Sequence, residues 1–220
     1  MAKAATPATE SAVLMLLDTY GLVYRAFFAL PPLNTAAGTP INAVYGFTMM
    51  LNKLIADEKP AHVIAAFDKG MPAERVALYK AYKAQRTAMP DELRSQFALV
   101  RRILDAHRIP IVEMEGQEAD DVIATLARRA EEAGEQTIVV TGDLDLLQLV
   151  DERTTVLTTR RGITELGRYD PAAVRERFGQ AFVEGGDDVR RFFVADDLGQ
   201  HLRETVGRID RDAFGRRQHR

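Results

Sequence analysis

Three apolar runs in this chain each close on an aspartate: Val13–Asp18, Val63–Asp68 and Thr137–Asp143. Continuous apolar runs of this length read as strands buried on both faces, which is how parallel sheets are written. The segments between them carry helical patterns, so the chain reads as α/β, a mostly parallel central sheet with helices on both faces. Ligands in such sheets bind beyond the carboxyl ends of the strands, so Asp18, Asp68 and Asp143 are expected to converge. Asp145 lies two residues further on, and Glu118-Ala-Asp120-Asp121 opens a helix. A lone aspartate beside a helix is commonly a cap, as Asp170 before Pro171 is expected to be. Acids at every strand end exceed what capping needs. Like charges so close cannot all stay ionised unless cations sit between them.

Hard cations such as Mg²⁺ and Mn²⁺ take oxygen ligands and keep several waters. The candidate ligands are Asp18, Asp68, Glu118, Asp120, Asp121, Asp143 and Asp145. In an extended chain Asp143 and Asp145 would point the same way. Glu118 and Asp121, three apart, would share a helix face. Asp120 turns off that face unless it precedes the first regular turn, which leaves its rank against Asp121 open. Two metals ~4 Å apart would activate water and stabilise both oxygens of an in-line phosphoryl displacement.

The remaining pattern supplies the crossovers. Val44, Phe47, Leu51, Leu54 and Ile55 make an amphipathic helix of Ile41–Lys59. Further helices are expected from Pro90 to about His107, over 118–133 with Gly134 as the stop, briefly up to Leu149, and from Asp170 to near Gly179. Ile109–Val112 and Val156–Thr159 read as short strands, with Arg160-Arg161-Gly162 as a turn. The chain has no Cys and four scattered His, which excludes disulfides, thiolate sites and zinc-ligand spacing and fits a reducing cytosol. No transmembrane-length apolar run or signal segment is present. The net charge of −3 gives no hint of nucleic acid. Basic groups are local instead: residues 73–89 combine Arg75, Tyr79, Tyr82, Lys83 and Arg86. Lysine and arginine there would neutralise phosphate and the tyrosines could stack on bases; on pattern alone the segment reads equally as a solvated cationic helix. Arg25 is a further candidate phosphate clamp, although taken alone it reads as a surface arginine. The first eleven residues read as a disordered lead-in.

Taken in order, Leu17-Asp18, Tyr24–Pro31, Ala43–Phe47, Ala66–Asp68, Tyr82–Arg86, Met89–Leu93, Gly116–Asp121 and Thr141–Leu149 resemble the 5′-nuclease domain of bacterial DNA polymerase I, within the flap endonuclease family. The resemblance covers residues 12–179. It implies a PIN-like 5′-nuclease fold with a helical arch at about 70–90. It also implies a two-metal Mg²⁺ or Mn²⁺ enzyme acting on DNA with 5′ flaps or nicks, cytoplasmic and monomeric, with a DNA polymerase as a possible neighbour. By that similarity Asp18, Asp68, Glu118 and Asp120 hold one metal and Asp143 and Asp145 serve the second, with Asp121 in an outer role. Tyr82, Lys83 and Arg86 match the arch that receives the 5′ strand, Arg75 precedes it, and Lys83 would stabilise charge on the scissile phosphate.

The chain departs from that pattern in four places. Thr19 stands where the family has Gly, with Gly21 displaced; Leu144 replaces a usual Lys or Arg. After Gly179 there is neither a Gly-Asp-x-Ser-Asp-Asn motif nor a helix-hairpin-helix. Residues 180–220 are instead arginine-rich and aperiodic, with Gly185-Gly-Asp-Asp188 a poor substitute. A reading-frame shift near Phe178 or Gly179 would explain the change, and would leave the second metal site impaired. The alternative functions are a truncated relative that binds branched DNA with little cleavage, and a PIN-type ribonuclease, against which the arch argues.

Overall fold

The computed structural model describes residues 12–70, 77 and 88–178. The expected lead-in, the arch residues Arg75, Tyr79, Tyr82, Lys83 and Arg86, and the arginine-rich tail lie outside the described residues. Each apolar run becomes a strand. The strands β1 (Val13–Asp18), β2 (His62–Phe67), β3 (Ile111–Glu113), β4 (Gln136–Thr141), β5 (Thr154–Arg161) and β6 (Glu165–Tyr169) form one sheet in the order β3-β2-β1-β4-β5-β6. Pairing is parallel throughout except between β5 and β6. The chain winds outward from β1 through β2 to β3, then returns to the other side of β1 as β4. Strand order therefore reverses between β1 and β4, the point at which open α/β sheets form their crevice. Leu17 is in register with Val140, which leaves Asp18 and Thr141 side by side at the strand ends.

Alternation along the strands feeds two cores. Leu14, Leu16, Ile64 and Val139 pack under α4 (Ala119–Glu132) and α5 (Pro171–Phe178). Met15, Leu17, Phe67, Ile138 and Val140 pack under α1 (Thr19–Ala29), α2 (Asn42–Glu58) and α3 (Asp91–Ala106). The α1–α2 contact depends on Gly46, where a Cβ would stand 2.9 Å from the Ala26 Cβ. Ile41 cannot cap α2, and fully buried Gln96 of α3 does so in its place. Its Oε1 accepts from the amides of Ala43 (2.8 Å) and Val44 (3.1 Å). Its Nε2 donates to Asn42 Oδ1 (3.0 Å), and Asn42 Nδ2 donates to the Phe27 carbonyl (2.9 Å). One satisfied polar network thus locks three helices together.

Five local differences from the sequence expectations have physical causes. The segment after Asp18, assigned no element from sequence, is α1. Its β-branched, aromatic and glycine residues are poor helix formers, and burial of Leu22, Val23 and Ala26 overrides that preference. The strand β6 was not anticipated because Gly167 and its charged residues hide an edge strand that buries Gly167 and Tyr169. Arg160 and Arg161 belong to β5, and the turn falls at Gly162 with φ +59°. Pro110 has no N–H to donate, so β3 starts at Ile111, while the Pro110 carbonyl accepts from Ala65 N at 3.0 Å. Beyond Asp143 the chain is not extended but a 3-10 helix, Leu144–Leu149, so Asp143 and Asp145 do not project as a pair. Among the described residues no helix is long and apolar enough to cross a membrane.

Candidate functional site

At the carboxyl edge of the sheet, over the switch point, lies an open cavity of about 890 Å³. Five of the expected acids line it: Asp18 from the end of β1, Asp68 after β2, Glu118 and Asp120 at the start of α4, and Asp143 after β4. Tyr20, Tyr24, Arg25 and Phe28 of α1 form another wall.

Backbone amides hold three of these acids, Asp18, Asp68 and Asp143. Asp18 is the N-cap of α1, its Oδ1 accepting from the Gly21 amide at 3.0 Å. Its Oδ2 accepts from the Thr141 hydroxyl at 2.8 Å. Asp68 Oδ1 accepts from the Ala119 amide at 2.7 Å, so the acid after β2 also caps α4. A bridge between Lys69 and Gln117 clips the two segments together, with the Gly116 amide donating to the Lys69 carbonyl at 2.7 Å. Glu118 and Asp121 close a capping box, Glu118 N donating to Asp121 Oδ2 at 3.3 Å. That box sets apart the two acids whose order the spacing left open. Asp121 is buried in the cap, while Asp120, in the first turn, lines the cavity. Asp143 Oδ1 accepts from the Asp145 amide at 2.9 Å. Asp145 is exposed on the 3-10 helix and is not among the cavity-lining residues.

The electrostatics follow from this crowding. Burial, then the negative charges of Asp18, Asp143, Asp68 and Glu118, push the Asp120 carboxyl up to about 7. Burial also raises Asp18 above the usual carboxylate range, against the opposing hydrogen bonds from Gly21 and Thr141. Among the described residues, no group of three or more acids or histidines is already drawn together so as to hold a metal ion. The donors themselves fit a hard divalent cation. All five are carboxylate oxygens around one solvent-open space, and their mutual repulsion is the kind a bound cation relieves. Asp18, Asp68, Glu118, Asp120 and Asp143 are the residues that would hold it.

Arg25 reaches the cavity wall but its guanidinium is engaged. Nε donates to the Gly162 carbonyl at 3.0 Å and a terminal nitrogen to the Arg160 carbonyl at 2.9 Å. It pins the β5–β6 hairpin to α1. Sequence reasoning missed the aromatic wall of Tyr20, Tyr24 and Phe28, although their i, i+4, i+8 spacing was a usable signal once a helix there was recognised. It also missed Thr141, for which no sequence signal distinguishes a site hydroxyl from a strand threonine.

A doubly wound sheet with carboxylates gathered at its switch point defines the class. Solved structures share that fold: T5 5′-exonuclease with bound zinc matches with a TM-score of 0.58 at 19% identity, over 79% of this chain and 64% of that one. A bacteriophage T5 flap endonuclease in a pseudo-enzyme-product complex with DNA and metal ions matches with a TM-score of 0.57, over 79% of this chain and 63% of that one. The chain belongs to the family of 5′-3′ exonuclease N-terminal, resolvase-like domains, whose model matches residues 13–179. DNA polymerase I of Bacillus caldotenax is 50% identical over 166 residues, 76% of this chain and 19% of that protein. The Mycobacterium tuberculosis H37Rv polymerase is 47% identical over 180 residues, 80% of this chain and 20% of the relative. This chain thus spans about one fifth of these relatives.

Proposed function

We propose that this protein is a divalent-metal-dependent 5′-3′ exonuclease and 5′-flap endonuclease that hydrolyses DNA phosphodiester bonds, with Mg²⁺ or Mn²⁺ as its cation. The observation that carries this reading is the ring of Asp18, Asp68, Glu118, Asp120 and Asp143 around one open cavity, in a chain of the 5′-3′ exonuclease family. A bound divalent cation would supply a water nucleophile at neutral pH and charge neutralisation at the scissile phosphate. The chain's own part is positional. Caps at α1, α4 and the 3-10 helix hold the carboxylates, while Tyr20, Tyr24 and Phe28 offer faces on which unpaired bases stack. The arch residues Tyr82, Lys83 and Arg86, with Arg75 before them, are proposed to receive the 5′ strand, and Lys83 to neutralise phosphate charge.

In this reading residues 12–179 are the catalytic domain and residues 180–220 an aberrant arginine-rich tail. Asp121 acts through the α4 cap rather than on the ion. A weakly cutting, branched-DNA-binding relative is a second reading, favoured by Asp145 lying off the cavity and by apolar Leu144 beside it, 40% exposed. Cleavage of a 5′-flap oligonucleotide in Mg²⁺ decides between them. The nuclease reading expects cleavage that Asp143→Ala abolishes and EDTA stops. Cleavage persisting in excess EDTA overturns the metal mechanism, and tight flap binding with no cleavage at any Mg²⁺ or Mn²⁺ concentration selects the second reading.

A further inference from the structure

The carboxylates flanking the switch point come from different strands, yet one hydroxyl touches both segments. Thr141, the last residue of β4, is fully buried. Its Oγ1 lies 2.8 Å from Asp18 Oδ2 and 2.9 Å from the Asp143 amide nitrogen. The amide can only donate, so the hydroxyl oxygen accepts there. The single hydroxyl proton is thereby committed to Asp18. This arrangement fixes the rotamer of Asp18 and the backbone direction at which Asp143 leaves the sheet. The Gly21 amide holds the other oxygen of Asp18, so the two contacts together leave the carboxylate one orientation.

We infer that Thr141 is a positioning residue for the metal centre, its hydroxyl setting the spacing between Asp18 on β1 and Asp143 after β4. The inference rests on the metal reading above and deepens it. The strand itself supplies a control. Thr137, four residues earlier on β4, is equally buried, and its Oγ1 makes no hydrogen bond. A purely structural need for threonine on this strand would apply to both positions. A need for the hydroxyl applies to Thr141 alone.

The test is Mn²⁺ binding to the full chain, followed by the electron paramagnetic resonance signal of free Mn²⁺ and requiring no substrate. Wild type is expected to bind, and Asp18→Asn to bind far more weakly. Thr141→Val keeps the shape and removes the hydroxyl. Its affinity is expected to fall about 10- to 100-fold, the usual effect of losing a group that orients a metal ligand. Thr141→Ser is expected to restore binding, and Thr137→Val to leave it unchanged. If wild type binds Mn²⁺ and folded Thr141→Val binds it equally well, Thr141 has no positioning role while the metal reading stands. If wild type binds no Mn²⁺, the metal reading falls and this inference with it. Should Thr141→Val fail to fold, Thr141→Ser carries the test: wild-type affinity supports the hydroxyl, and a tenfold loss in the folded serine variant overturns it.

Discussion

Gly21 lies directly over the Asp18 carboxylate: its amide donates to Oδ1 at 3.0 Å, and a Cβ placed on it would stand 2.3 Å from Oδ2. Only a residue with no side chain can sit this close under the Asp18 cap. Replacing Gly21 with alanine should favour the helix by up to about 1 kcal/mol on propensity, yet it must push Asp18 aside. Gly21→Ala is therefore expected to keep its melting temperature within a few degrees while 5′-flap cleavage falls by about 100-fold, the scale of an ångström-sized misplacement. Parallel thermal melts and cleavage rates check this. Wild-type activity would mean Asp18 tolerates the shift.

The crowded acids predict a pH dependence of the metal-free protein. Asp120, raised to about 7 from an ordinary value of 3.8, binds a proton more readily folded than unfolded. The folded state then holds more protons than the unfolded state between those values, so stability falls as pH rises from about 4 through 7. Asp18 shifts in the same direction. Melting in EDTA should show this decline, and Asp120→Asn should flatten it. Millimolar Mg²⁺ should also reduce it, by neutralising the ionised cluster. Rising stability over that range in EDTA would contradict the arrangement.

Gln96 offers a stability test remote from the cavity. Leucine at this position leaves the Ala43 and Val44 amides without their acceptor and removes the donor to Asn42. A loss of about 2–4 kcal/mol is expected from stranding such groups, measured by urea unfolding. A loss below about 0.5 kcal/mol would mean that water replaces the side chain.

Arg25 separates phosphate binding from hairpin anchoring. With its guanidinium on the Gly162 and Arg160 carbonyls, Arg25→Met should speed amide hydrogen exchange in the β5–β6 hairpin and cost about 1–2 kcal/mol. A variant with unchanged exchange but weakened DNA affinity would assign Arg25 to phosphate instead.

The strands that lead to acids were legible because a parallel sheet buries both faces, so Val13–Leu17 and Ile138–Val140 are apolar throughout. The helices α2, α3 and α4 were legible from period and caps. What escaped was written in weaker chemistry. The helix α1 is diluted by β-branched, aromatic and glycine residues and held by burial, and β6 is a short edge strand with glycine and charged residues. The 3-10 turn after Asp143, which carries Asp145 away from the cavity, has no periodic signature over six residues.

By itself the sequence determined which residues could bear the chemistry. Acids placed after apolar strands must meet at one edge of a parallel sheet, because all such strands run the same way. Only the tertiary structure decided which of them share a space. The reversal of strand order set Asp18 against Thr141, and the Glu118–Asp121 capping box turned Asp120 inward and Asp121 away. Those outcomes depend on strand register and helix phase, which one residue's displacement would invert and no local pattern specifies.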